Sequence, residues 1–60
     1  MFKNEPDLLT RKQCQELLHV SKSKMLELIH NNDIPAITIA GSYRIFKSDL
    51  IEYVEHLRYY

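Results

Sequence analysis

Two short apolar stripes, eleven residues apart, constrain this chain more than any other feature of its sequence. The first stripe is Cys14, Leu17 and Leu18, and the second is Met25, Leu28 and Ile29. Residues at positions i, i+3 and i+4 lie on one face of an α-helix. The stripes therefore predict two consecutive amphipathic helices, each with one face buried against a shared core.

The predicted starts of these helices leave almost no chain between them. Thr10 and Gln13 have the spacing of a capping box, so the first helix should begin at Thr10. Ser21 is a favourable N-cap for the second helix. Only His19 and Val20 then lie between the two helices. So short a connection favours helices that cross steeply, as in a helix-turn-helix.

The segment after the second helix predicts a β-hairpin. Residues 31–33 favour a turn, and Pro35 prevents the helix from continuing. Two β-rich runs follow, at residues 36–39 and 43–46, and residues 40–42 between them contain the chain's single glycine. We therefore expect a hairpin with a three-residue loop. Alternation along its second strand predicts that Arg44 points away from its two neighbours.

A third helix should close the chain. Ser48 is the predicted cap, and Asp49 suits the first turn because it is negatively charged. The predicted inner stripe is Leu50, Tyr53, Val54 and Leu57. We expect residues 1–7 to be a loose N-terminal lead-in and residues 8–60 to form a single domain. Its class is mostly α with a small β-hairpin, in the order helix, turn, helix, hairpin, helix.

The net charge is zero, with eight basic and eight acidic residues, but the charges are unevenly distributed. Residues 10–24 contain four cations and only one carboxylate, whereas residues 49–55 contain three carboxylates and no cation. Zero net charge disfavours strong, non-specific binding of nucleic acid, which depends on neutralising phosphates. The distribution nevertheless predicts a molecule with a basic front and an acidic back.

Several functional classes receive no support from the sequence. No apolar run approaches the roughly 20 residues needed to span a membrane, and residues 1–7 lack the apolar stretch of a secretion signal. Cys14 is the single cysteine, which fits a reducing cytoplasm. The spacing of Cys14, His19, His30 and His56 matches no structural zinc pattern. We expect no metal, no cofactor and no catalytic residues.

The chain resembles the excisionase-type DNA-binding domains related to MerR, which have a winged helix-turn-helix fold. The resemblance extends from residue 9 to residue 54. It rests on residues 9–10, 16–23, 28–29, 34–37, 41–45 and 49–50 and on Tyr53, in that order. The chain departs from the pattern at His19, where glycine is common, and at Thr38, Phe46 and the wing tip. It has one wing arginine, Arg44, where such domains often have two or three cations.

This resemblance implies a protein that binds double-stranded DNA without catalysing a reaction. The second helix would enter the major groove, and the hairpin would lie on the flanking backbone as a wing. The implied DNA-binding residues are Arg11, Lys12, Lys22, Ser23, Lys24, Leu26, Glu27, Arg44 and Lys47. For Lys22 and Lys24 the alternative is a solvated surface charge, and for Arg44 it is an ion pair with a nearby carboxylate such as Asp49. Leu26 would alternatively pack on the wing, and Glu27 would simply be exposed. The implied role is excisionase-like or regulatory, assisting a recombinase or another enzyme of a mobile genetic element or phage.

A protein-interaction subunit is the competing interpretation. Zero net charge, a wing with only one cation and an aromatic tail favour a main contact with a recombination or replication enzyme, such as a polymerase. Phe2, Tyr53, Tyr59 and Tyr60 are the predicted partner surface. A further possibility that the sequence leaves open is that several copies of the chain assemble into a homo-oligomer on DNA.

Overall fold

The computed structural model describes residues 2–58 and contains three helices and a three-stranded sheet. The elements are β1 (Leu8–Thr10), α1 (Arg11–Leu18), α2 (Lys22–His30), β2 (Ile37–Ile39), β3 (Ser42–Phe46) and α3 (Lys47–Leu57). The predicted fold class, mostly α with a small β-hairpin and a helix-turn-helix, is confirmed. The hairpin of β2 and β3 is called the wing below.

The two helix starts are where the sequence places them. The hydroxyl of Thr10 accepts from the backbone N–H of Gln13 (3.1 Å), and the Gln13 side chain accepts from the backbone N–H of Thr10 (2.8 Å). The hydroxyl of Ser21 accepts from the N–H of Lys24 (3.1 Å). His19 ends α1 in the left-handed conformation (φ 57°, ψ 44°), which lets the chain change direction sharply within the short connection.

The sheet contains one strand that the sequence analysis did not identify. Its order is β1-β3-β2, and both strand pairs are antiparallel. Leu9 on β1 lies opposite Ile45 on β3, and both side chains are fully buried. The sequence pattern does not reveal β1, because three residues are too few to show a strand period.

The loop of the hairpin is shorter than predicted. Ser42 pairs with Ile39 in the sheet, so only Ala40 and Gly41 form the turn, and the predicted three-residue loop is wrong. Both turn residues have positive φ, 51° and 80°. This is the geometry of a two-residue hairpin turn whose twist matches that of the strands, and it left Ser42 free to extend β3.

The third helix also differs from the prediction in two details. Its N-cap is Phe46, without a side-chain cap bond, so the predicted cap at Ser48 is wrong. The helix follows β3 directly, and the backbone N–H of Lys47 donates to the carbonyl of Asp7 (2.7 Å). Leu57 is 52% exposed and not part of the inner stripe, because α3 reaches the core through Leu50 and Tyr53, nearer its start.

One hydrophobic core joins all these elements except β2. Its buried members among the described residues are Leu9, Cys14, Met25, Leu28, Ile29, Ile34, Ile45 and Leu50. The two sequence stripes thus supply half of this core, and Leu17 and Leu18 pack against it partly buried. Since the core faces of α1 and α2 turn inward, their polar faces lie on the surface.

Candidate nucleic-acid interface

The outer face of α2 carries the side chains that a recognition helix would present. Met25, Leu28 and Ile29 are buried, whereas Lys22, Ser23, Lys24 and Glu27 are exposed. Leu26 is half-buried between these two groups. The Ser21 cap fixes the first turn, so Lys22 stands at the N-terminal end of an ordered helix.

An open groove of about 530 Å³ separates α2 from the wing. We call it the basic groove. The residues that line it are Thr10, Arg11, Lys12, Lys22, Leu26, Gly41, Ser42, Tyr43 and Arg44. Four of these residues are cations and none is a carboxylate. The groove therefore offers positive charge along its walls to an anionic ligand.

Arg44 occupies the middle of the sheet at the wing side of this groove. It lies opposite Thr10 on β1 and Ile37 on β2, and its guanidinium donates to the carbonyl of Tyr43 (3.0 Å). The predicted alternation is present, since Ile45 is fully buried while Arg44 remains half-buried. Asp49 is not its partner, and Arg44 forms no ion pair within residues 2–58.

Arg11 and Lys12 reach the groove from the first turn of α1. The guanidinium of Arg11 donates to the side-chain oxygen of Gln15, one turn further along the same helix. That oxygen is neutral, so the positive charge of Arg11 is not cancelled by this contact. Lys12 is exposed. The starts of α1 and α2 thus contribute cations to one surface.

Four residues expected at the DNA do not line the groove. Lys24 and Glu27 form an exposed i, i+3 ion pair (3.9 Å) beside it on α2. Lys47 is only 22% exposed, and its ammonium lies 3.8 Å from the carboxylate of Asp7 and donates to the carbonyl of Glu5 (3.4 Å). Ser23 is on the exposed face of α2 but also outside the lining of the groove.

Negatively charged side chains line a second, smaller cleft of about 230 Å³. We call it the acidic cleft, and it is lined by Asn32, Asp33, Pro35, Asp49, Glu52, Tyr53 and His56. Three of these residues are carboxylates. The basic groove and the acidic cleft share no lining residue, which agrees with the polarised charge inferred from the sequence.

The predicted aromatic partner surface is placed differently from the groove. Phe2 and Tyr53 are partly buried and pack against the core. Tyr59 and Tyr60 lie outside the described residues. The large exposed apolar side chains of the sheet are Ile37, Ile39 and Phe46, between 42% and 46% exposed. The registers of the strand pairs place these three side chains on the same face of the sheet as Arg44, and we call it the outer face. This face forms only when all three strands pair.

One contact between α2 and the wing, that of His30 with Tyr43, was not predicted from the sequence. The ring nitrogen Nε2 of His30 lies 3.2 Å from the hydroxyl of Tyr43, within hydrogen-bond distance. The two rings meet edge to face, with centroids 6.3 Å apart and an interplanar angle of 65°. His30 and Tyr43 are thirteen residues apart, and no short-range sequence pattern connects residues at that distance.

Within residues 2–58 no group of three or more His, Cys, Asp or Glu side chains is arranged to hold a metal ion. Cys14 is fully buried, and this burial raises the pKa of its thiol to about 11. At neutral pH the thiol is protonated and therefore a poor nucleophile and ligand. Over the same residues, no helix combines the length and apolarity that crossing a membrane requires.

Comparison with known families agrees with this geometry. The family model described as "Helix-turn-helix domain" matches residues 8–58, and the chain belongs to this family of DNA-binding domains. The match begins at β1 and ends just beyond α3, so it includes every element of the fold. The searches of curated proteins and of solved structures found no significant match.

Proposed function

We propose that this protein binds double-stranded DNA with α2 in the major groove and the wing on the flanking backbone. The observation that carries this proposal is the basic groove, where cations from α1, α2 and β3 line one concave surface and none of the described lining residues is a carboxylate. DNA affinity depends on such cations, since each phosphate that they neutralise releases bound counterions. The protein would act through binding alone.

The groove and the outer face of α2 suggest distinct roles for their residues. Lys22 from α2 and Arg44 from β3 both line the groove and would contact phosphates on either side of the inserted helix. Arg11 and Lys12 would extend this backbone contact at the start of α1. Base edges would be read from α2, with a thymine methyl group against Leu26.

The remaining side chains of α2 would make secondary contributions. Ser23 is exposed beside Lys22 and would donate to either a base or a phosphate. Glu27 would accept from a cytosine amino group, and its ion pair with Lys24 would lower its repulsion of nearby phosphates. Lys47 would take part only after leaving Asp7, so we assign it no primary contact.

The biological role that we propose is excisionase-like or regulatory, on a mobile genetic element or phage. The resemblance of the sequence to excisionase-type domains supports this role. A protein of this kind would occupy a site in the cytoplasm, as one copy or several, and assist a recombinase or another enzyme.

A second candidate function is that of a protein-interaction subunit with weak or shared DNA contact. It is favoured by the apolar outer face of the sheet, where Ile37, Ile39 and Phe46 are each more than two-fifths exposed. Zero net charge also favours it, because attraction to DNA then rests on the local charge of the basic groove alone. The partner would be a recombination or replication enzyme, such as a polymerase.

A salt titration of duplex binding distinguishes the two functions. For the first, log affinity should fall linearly with log salt concentration, with a slope of about −0.9 per neutralised phosphate. Lys22→Ala combined with Arg44→Ala should reduce the magnitude of that slope by about 1.8. Arg58→Ala is the matched control, because Arg58 is an exposed cation paired with Glu55 at the end of α3. Binding that is undetectable at about 50 mM salt, with co-purification of a neighbouring gene product, would instead support the interaction subunit.

A further inference from the structure

The contact between His30 and Tyr43 joins the two walls of the basic groove. His30 is the last residue of α2, and Tyr43 is the second residue of β3. Their 3.2 Å contact and edge-to-face rings link a helix to a strand that lies thirteen residues further along the chain. Tyr43 also lines the groove, so the link lies in its wall and not elsewhere in the molecule.

The helix side of this contact is continuous with the groove. Lys22, Leu26 and His30 are spaced by four residues and therefore lie along one face of α2. Lys22 and Leu26 line the groove, and His30 stands at the end of the same row. On the wing side, Tyr43 precedes Arg44 and its carbonyl accepts from the Arg44 guanidinium (3.0 Å). A shift of Tyr43 would consequently shift Arg44 relative to Lys22.

Apart from the shared core, direct packing between α2 and the wing is sparse among the described residues. The most extensive packing of α2 is against α1, whereas β3 packs mainly against the two other strands, α1 and α3. The turn at Ala40 and Gly41 is exposed, and the space beside the Gly41 Cα is open. Ile45 holds β3 in the core that α2 shares, so it is the part of the wing beyond Ile45, towards the turn, whose position depends on side chains such as Tyr43 that contact α2.

We propose that His30 and Tyr43 form a clamp that sets the position of the wing for DNA binding. Both are positioning residues, because they act through Arg44 and Lys22 and not through phosphates of their own. This inference rests on the proposed DNA-binding function. Its consequence is that breaking the clamp lowers affinity without lowering the number of phosphates neutralised.

Tyr43→Phe tests the clamp with the smallest change, since it removes one hydroxyl and retains the ring. We expect duplex affinity to fall about two- to tenfold, the usual range for one hydrogen bond, with an unchanged salt slope. His30→Ala should weaken binding at least as much, and His30→Gln should restore it to within about twofold, because an amide also pairs with a hydroxyl. Tyr53→Phe is the matched control, since Tyr53 lies on α3 and lines the acidic cleft.

A second measurement needs no DNA. The chain has one glycine, so the amide of Gly41 at the wing tip gives a single glycine signal in a nitrogen–proton correlation spectrum. Its heteronuclear Overhauser effect should fall in Tyr43→Phe and stay at the wild-type value in Tyr53→Phe, which would show a loosened wing. The free energy of unfolding should change little, because the hydroxyl is lost from a half-exposed site.

The outcomes separate this inference from the function on which it rests. Wild-type affinity and a wild-type Gly41 signal in Tyr43→Phe would overturn the clamp. A loss of affinity that merely follows a loss of folding stability would overturn it as well, since the pair would then be structural only. If the wild-type protein shows no salt-dependent duplex binding while the Gly41 signal still responds, the DNA-binding proposal fails and the mechanical link remains.

Discussion

Thr10 is the N-cap of α1 and, at the same time, the cross-strand partner of Arg44. One residue thus connects the start of the first helix to the middle of the wing strand. This connection brings Arg11 and Lys12 to the same groove as Arg44, although 31 residues lie between Lys12 and Arg44 and these include the whole of α2 and β2. The pairing of β1 with β3 therefore places cations from two distant segments on one surface.

The first prediction concerns the cap itself. Thr10→Ala removes the hydroxyl that accepts from the N–H of Gln13 and should lower the free energy of unfolding by about 1 kcal/mol. A urea titration monitored by circular dichroism measures this change. Ser23→Ala is the control, because Ser23 is an exposed residue inside α2 and caps no helix. Equal stability of Thr10→Ala and Ser23→Ala would show that the capping box contributes nothing.

The second prediction separates the lysines that the sequence analysis grouped together. Lys22→Ala should reduce the magnitude of the salt slope of duplex binding by about 0.9, because Lys22 lines the basic groove. Lys47→Ala should leave the slope unchanged, since the ammonium of Lys47 is held near Asp7. Lys24→Ala should also have a smaller effect, because its charge is paired with Glu27. A slope that responds more to Lys47 than to Lys22 would contradict our assignment of the groove.

The third prediction addresses the strained end of α1. His19 has a φ of 57°, a conformation that costs an ordinary residue about 1–2 kcal/mol and a glycine almost nothing. His19→Gly should therefore raise the free energy of unfolding by about 0.5 kcal/mol after the greater flexibility of unfolded glycine is subtracted. Glu16→Gly, at an exposed position inside α1, should lower it by about 1 kcal/mol. Thermal unfolding of both variants checks the contrast, and destabilisation of similar size in both would refute it.

The fourth prediction compares two isoleucines of the wing. Ile45 is fully buried and Ile37 is 42% exposed, on opposite faces of the sheet. Ile45→Ala should cost about 2–5 kcal/mol and leave the domain largely unfolded, whereas Ile37→Ala should cost less than about 1 kcal/mol. Circular dichroism of the two variants at the same concentration provides the measurement. Similar losses would mean that the outer face of the sheet is covered in solution.

The fifth prediction follows from the buried thiol of Cys14. Burial raises its pKa from 9.0 to about 11, so the unfolded chain loses this proton at lower pH than the folded chain. The thiol's contribution to stability is complete below pH 9 and should be lost as the pH rises to 11, at up to about 1.4 kcal/mol per pH unit. Urea unfolding of the wild type and of Cys14→Ala across this range measures it, since the variant retains every other titrating group. A constant difference between the two proteins would exclude the effect.

The helical part of the fold could be predicted from the sequence because its signals are local. The capping box at Thr10, the cap at Ser21 and the two apolar stripes all act within one or two helical turns. Each of these interactions is formed between residues at most four positions apart. The positions of α1 and α2 and the buried face of each follow from them directly.

The sheet and the basic groove depended on contacts between distant residues. A three-residue strand such as β1 has no period of its own, and it exists because β3 offers a partner for Leu9 and Thr10. The same pairing decides which cations line the groove and leaves Lys47 beside Asp7. Tyr43 meets His30 only because the wing folds back onto α2. Local hydrogen bonding and hydrophobic periodicity thus determined the helices, whereas long-range pairing of strands and side chains decided the shape and charge of the surface.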